Sequence, residues 1–171
     1  MRAEFGGANL VVNNAGVALG ADVLDMAWDD FEWLMNINFW GVAYGTKAFL
    51  PYVIESGDGA IVNVSSLFGL IAVPGQAAYN AAKFAVRGFT EALRQEMIVN
   101  KHPVKVTCVH PGGIKTAIAR NATAAEGIDA DELATFFDKR LANTTPEKAA
   151  QVILEGVRRN KARVLIGTDA K

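Results

Sequence analysis

A chain of 171 residues, 51% of them hydrophobic, has the size of one domain or a large part of one, with apolar material for a sizeable core. A formal net charge of -1 and a pI near 6.1 supply no basic field to neutralise phosphates, which argues against nucleic acid as a partner. The one cysteine, Cys108, excludes an internal disulfide, and no apolar run approaches the ~20 residues needed to span a bilayer.

The start, MRAEFGGANLVVNNAG, lacks the charged, apolar and cleavage regions of a signal peptide, so a soluble, cytoplasmic chain is expected. ANLVV at 8–12 reads as a first strand, buried on both faces, that stops at NNAG. Helices are expected over 28–37 and from about Asn38 to Glu55. SGDG at 56–59 is a turn cluster, and the β-branched run AIVNVSS at 60–66 is the next strand. After a loop with Gly69, Pro74 and Gly75, Ala82, Ala85, Val86, Phe89, Leu93 and Met97 recur at helical spacing within 77–100.

VKVTCVH at 104–110 is another buried strand, broken by PGG, in which Cys108 reads as a small core residue. Residues 129–142 have the pattern of an amphipathic helix. TTPEKAAQVILEGVRRN brings a threonine cap and a first-turn proline to a last helix, before the strand RVLIG. Alternating helices and continuously apolar strands predict an α/β fold, a doubly wound parallel sheet with helices on both faces. Ligands in such sheets bind outside the carboxyl ends of the strands. There lie NNAG, the pair Ser65 and Ser66, and PGG.

The chemistry-bearing spacing is YNAAK at 79–83. Residues four apart share a helix face, so Tyr79 and Lys83 are neighbours. A phenol has an ordinary pKa of about 10, too high for a proton acceptor at neutral pH, and a nearby ammonium favours the phenolate. A tyrosine so tuned can exchange a proton with a substrate oxygen. Alone, the spacing better suits a surface tyrosine beside a solvated lysine. Ser66 alone could be a turn cap, and Asn38 a helix N-cap. His110 reads as a satisfied structural histidine, and Trp28, Trp33 and Trp40 as packing residues rather than a ligand cage.

NNAG, NINFWG, VNVSS, YNAAK and VHPGGIKT follow one another in this order at suitable intervals. In this the sequence resembles the short-chain dehydrogenase/reductase family over nearly its whole length. The resemblance implies a Rossmann-type fold and hydride transfer between a nicotinamide cofactor, NAD or NADP, and a small carbonyl or alcohol substrate. It assigns Tyr79 as catalytic acid/base, and Lys83 as its pKa-lowering partner and a holder of the nicotinamide ribose. Ser66 would bond the substrate oxygen, with Ser65 supporting the turn. Asn38 would hold a relay water, with Asn36 a competing candidate. Asn13 would brace backbone, Ala15 and Gly16 would lie against the cofactor, Pro111 and Gly112 would shape a strand end, and Ile114 and Thr116 would contact the nicotinamide. No metal is implied.

The family also implies a homodimer or homotetramer through the helices at about 38–55 and 77–100. Its opening strand and glycine-rich turn of the T-G-x-x-x-G-x-G type are not found here, and FGGANL precedes its strand and opens no helix. Residues 1–171 are therefore expected to be the C-terminal catalytic part of a single domain, a partial Rossmann-type sheet. The alternative is a truncated, non-catalytic fragment that only self-associates. The segment 117–145, alanine-rich with Phe136 and Phe137, would form a substrate-side lid.

Overall fold

The computed structural model describes residues 4, 6–116, 118, 123–124 and 144–167. Their main sheet contains β1 (Leu10–Asn13), β3 (Gly59–Val64), β4 (Val104–Pro111) and β6 (Arg163–Ile166). All its pairings are parallel, in the order β1-β3-β4-β6. Two residues on each side make a separate parallel pair, β2 (Leu19–Gly20) with β5 (Thr123–Ala124), which the sequence pattern does not announce. The α-helices among the described residues are α1 (Trp28–Met35), α2 (Gly41–Glu55), α3 (Ala77–Val99) and α4 (Pro146–Arg158).

Both faces of the sheet are covered. Ile61 and Val106 pack with Val53 of α2 and with Leu93 and Met97 of α3. On the opposite face Val62, Val109, Val164 and Ile166 pack with Ala149 and Val152 of α4. This two-sided burial is why β3 and β4 read as mainly apolar runs without strict alternation. Helix α4 starts as expected, with Pro146 in its first turn and the Thr145 hydroxyl accepting from the Lys148 amide at 3.3 Å. No helix among the described residues is long and apolar enough to cross a membrane.

Two expectations need correction. The apolar run of β1 predicts burial on both faces, but Leu10 and Val12 are 45% and 46% exposed. They share the face of Val62, which α4 covers only toward β6. The predicted break between two helices near residue 38 is also absent. Residues Asn36–Trp40 form a π-helical segment that carries α1 into α2, and Asn38 lies inside this run rather than at an N-cap. The sequence MNINFW contains no breaker, and Gly41 itself adopts the right-handed helical conformation, φ -56 and ψ -42. The helix pattern at 129–142 lies outside the described residues.

A buried polar network ties four elements together just below the strand ends. The Asn13 amide donates to Asn63 Oδ1 at 2.8 Å and to Thr46 Oγ1 at 3.1 Å. The Asn63 amide donates to Thr90 Oγ1 at 3.0 Å, and that hydroxyl donates to the Val86 carbonyl at 2.6 Å. Asn63, Thr46 and Thr90 are buried, so each donor removed from water must be satisfied here. Asn63→Ala is expected to destabilise the chain by about 2 kcal/mol, read from urea denaturation. A loss below about 0.5 kcal/mol would mean that the network carries little stability.

Candidate active site

Above this network, the ends of β1 and β3 meet the N-terminal half of α3. Helix α3 buries Ala78, Tyr79, Ala82, Lys83, Val86, Leu93 and Met97, a stripe three and four residues apart. Two polar residues at the start of that stripe therefore go inside with it. Tyr79 packs against Leu19, Leu34 and Ala82, with Phe68 edge-on to its ring at a centroid distance of 6.1 Å. Lys83 is 3% exposed, and its ammonium lies 5.5 Å from the Tyr79 ring centroid.

The end of β3 and α3 are clamped reciprocally. Lys83 Nζ donates to the Val64 carbonyl at 3.1 Å, and the Ser65 hydroxyl donates to the Lys83 carbonyl at 2.8 Å. Gly69 is required where this clamp passes, since a Cβ there would collide with Ser65 Oγ and the Lys83 backbone. Ser66 caps the short 3₁₀ turn Leu67–Gly69, accepting from the Phe68 amide at 3.1 Å, and its side chain also acts on the Tyr79 phenol. The cap reading of Ser66 is thus realised.

Burial pushes the Tyr79 phenol above its ordinary 10.0, and the hydrogen bond from Ser66 opposes that rise. The expectation that Lys83 sets the tyrosine pKa needs revision for the chain by itself: burial governs it. Burial also lowers the Lys83 ammonium to about 8, while the neighbouring Cys108 works in the other direction. The Cys108 thiol is itself raised to about 12 by burial, the behaviour of an inert core residue.

Asn38 is buried in the π-helical segment. Its Oδ1 accepts from the Val17 amide at 2.8 Å and its Nδ2 donates to the Val17 carbonyl at 2.9 Å, so the side chain is committed to the backbone of one residue. Asn36, the competing candidate, is exposed. A Cβ on Gly16 would stand 3.2 Å from Asn38 Oδ1 and 3.5 Å from Lys83 Nζ, which places Gly16 between those two side chains. Ala15 lines a cleft with Asn13, Asn14, Ile37 and Gly41.

Pro111, Gly112, Ile114 and Thr116 stand on the continuation of β4. Pro111 pairs with Ile166, and the Gly112 amide donates to the Ile166 carbonyl at 2.8 Å. Ile114 bridges to Thr144, and the Thr116 amide donates to the Ile114 carbonyl at 2.8 Å. Phe136 and Phe137 lie outside the described residues. The three tryptophans do not pack inside: Trp28 is the most exposed, and Trp40 stacks on Tyr44 at 5.7 Å.

Sequence reasoning passed over Asn80. Its Nδ2 donates to the Phe68 and Ile71 carbonyls at 2.7 and 2.8 Å, and its Oδ1 accepts from the Val73 amide at 3.1 Å. One buried amide thereby holds the loop between Ser66 and Tyr79. The available signal is an asparagine on the apolar stripe of a helix, where its side chain is expected to bond backbone nearby.

A family model described as short chain dehydrogenase matches residues 1–127. The chain belongs to the short-chain dehydrogenase family. The SadH protein of Mycobacterium tuberculosis is 64% identical over 169 residues, which cover 99% of this chain and 61% of SadH. The oxidoreductase BOA17 of Botryotinia fuckeliana is 37% identical over 177 residues, covering 98% of this chain and 64% of BOA17. A short-chain dehydrogenase/reductase from Burkholderia phymatum, solved in complex with NAD, superposes with a TM-score of 0.88 at 25% identity, covering 96% of this chain and 63% of that one. The Rossmann-type sheet expected from the sequence is thus the sheet of this family.

The buried lysine makes a pH prediction. Between about 8 and the ordinary 10.5, an unfolded chain holds a proton on Lys83 that the folded chain has released. Stability from this residue therefore rises with pH across that window. Urea midpoints are expected to show that contribution in the parent and to lose it in Lys83→Met. An identical pH dependence in the two chains would mean that Lys83 is not held at a cost.

Proposed function

We propose that this protein is an NAD- or NADP-dependent oxidoreductase that moves hydride between a nicotinamide ring and the carbonyl or alcohol carbon of a small molecule. The observation that carries the reading is Tyr79 and Lys83 buried together on α3, the ammonium 5.5 Å from the phenol ring, next to Ser66 at the carboxyl edge of a parallel sheet. Names of relatives support oxidoreductase chemistry, and the Burkholderia phymatum neighbour was solved with NAD. Its resident partner would be the dinucleotide; NAD is not distinguished from NADP by any residue described.

The residues fit that group. Ala15 and Gly16 leave little side chain just past the end of β1, Ala15 lining the cleft and Gly16 close to Lys83 Nζ. Lys83 and Tyr79 are proposed to hold the nicotinamide ribose, Asn13 to brace the strand end, and Pro111, Gly112, Ile114 and Thr116 to line the nicotinamide side. The bound nicotinamide supplies or accepts the hydride. In reduction, Ser66 and Tyr79 donate hydrogen bonds to the substrate oxygen and stabilise the charge that develops there. Tyr79, whose raised pKa keeps its proton on the hydroxyl, then gives that proton to the oxygen. Lys83 stabilises the phenolate that remains. The Asn38 amide is engaged by Val17, so its proposed part in returning the proton falls to the backbone of the π-helical segment, with the amide fixing that segment against the chain after Gly16.

Residues 1–171 are proposed to be the C-terminal catalytic part of a single Rossmann-type domain, acting in the cytoplasm. Its proposed homo-oligomer forms through α2 and α3, whose Tyr44 and Phe84 are exposed. A self-associating fragment without chemistry gives no reason to bury a lysine and a tyrosine together.

In the complete enzyme, Tyr79→Phe is expected to lower turnover by roughly a hundredfold or more, with cofactor affinity nearly unchanged. Steady-state reduction followed by nicotinamide absorbance measures the first, and calorimetric titration the second. Activity within about threefold of the parent would remove Tyr79 from the acid/base role.

A further inference from the structure

His110 ends the buried part of β4 and is itself wholly buried. Its Nδ1 lies 2.9 Å from the Ser66 carbonyl oxygen. A carbonyl oxygen only accepts, so Nδ1 carries the hydrogen and the neutral ring leaves Nε2 as a bare acceptor. Nε2 has no hydrogen-bond partner among the described residues. The histidine expected to be satisfied is therefore satisfied at one nitrogen only. Such an orphan costs free energy, and a fully apolar side chain at this position would avoid it. The contact that remains is with Ser66.

Ser66 needs that contact. It stands where β3 has ended and the 3₁₀ turn begins, in extended backbone with φ -164 and ψ 168. Its carbonyl accepts from the Gly69 amide at 3.0 Å as well as from His110, and its hydroxyl accepts from the Phe68 amide. All the local bonds come from the turn itself. The bond from His110 ties the Ser66 carbonyl to the neighbouring strand, one residue beyond the ladder bond from the Ser65 amide to the Val109 carbonyl at 2.8 Å, and so helps to fix where the turn, and the hydroxyl facing Tyr79, sits relative to the sheet. We propose that His110, as the Nδ1–H tautomer, is a positioning residue for Ser66. The inference rests on the catalytic reading of Ser66 and Tyr79 and adds to it a residue that touches neither substrate nor cofactor.

The charges that act on the imidazole are Arg87 and Glu91 of α3 and Arg163 of β6. Burial is the largest influence and holds the ring below its ordinary 6.5, in the neutral form the geometry requires. Protonation would leave Nδ1 donating as before and would add an Nε2–H with no acceptor among the described residues.

Two measurements test this. In the ¹⁵N-histidine-labelled chain, which has two histidines, His110 is expected to show a protonated Nδ1 and a bare Nε2 at neutral pH, with His102 as the internal reference. An Nε2–H tautomer, or an imidazolium, would overturn the proposal. The second uses three variants. The new side-chain amide in His110→Asn can replace the Nδ1 donor, that in His110→Gln falls nearer the Nε2 position, and His110→Leu has none. The Tyr79 ring and Ser66 signals should stay in place in His110→Asn and move in the other two. Signals that move equally in all three, or in none, would reduce His110 to core filling. In the active enzyme, kcat is expected to fall about tenfold in His110→Leu and His110→Gln and to recover within about threefold in His110→Asn, with KM retained. A parent enzyme that turns over nothing would refute the proposed function, and the spectra would still decide the contact.

Discussion

A lysine ammonium withdrawn from water must be given a partner where it lies, and the position of Lys83 organises everything around it. Its Nζ reaches the carbonyl of Val64, the last residue of β3, while Ser65 returns a hydrogen bond to the Lys83 carbonyl. These two bonds fix the height of α3 above the sheet. Tyr79, one helical turn earlier, is thereby held over Ser66, the next residue out along the β3 chain. The energetic cost is visible in the lysine itself, whose pKa burial lowers to about 8. A structure that accepts that cost instead of placing an apolar residue there gains a fixed relation between a helix and a strand end.

The same logic repeats at smaller scale. Asn13, Asn63, Thr46 and Thr90 knit β1, β3, α2 and α3 beneath the site. Asn38 commits both ends of its amide to Val17, and Asn80 commits its own to the loop at 68–73. Asn13 and Asn63 bond across the last rung of the β1–β3 ladder, while Asn38 and Asn80 hold chain beyond the strands, where no ladder remains. The site is therefore a set of strand ends and loops whose positions are dictated by side chains on the helices beside them.

Much of this was legible in the sequence, and the reasons differ from residue to residue. β3, β4 and α3 were legible because burial on both faces, or along one stripe, leaves a continuous or periodic apolar record. Tyr79 and Lys83 were legible as neighbours because they stand four residues apart on α3, whereas Ser66, on another element, joined them only through the family resemblance. The π-helical segment was not legible, since MNINFW carries no signal for it, and neither was the bonding of Asn38 to Val17, 21 residues away. Half-exposure of β1 was hidden for a related reason: an apolar run does not say which neighbour covers each face. The sequence also suggested that Lys83 governs the Tyr79 proton. A spacing of four residues conveys proximity, but it does not convey that both groups are buried, and burial is what decides the pKa here.

The central claim is that the site is preassembled with Tyr79 protonated and buried beside Lys83 and Ser66. Titration of ¹³Cζ-labelled tyrosine by NMR, with Tyr79 assigned through Tyr79→Phe, reads that state directly. The account predicts that Tyr79 titrates above the ordinary 10.0 and moves higher still in Ser66→Ala, where the opposing hydrogen bond is gone. A Tyr79 pKa at or below 10.0 that is indifferent to Ser66→Ala would contradict it.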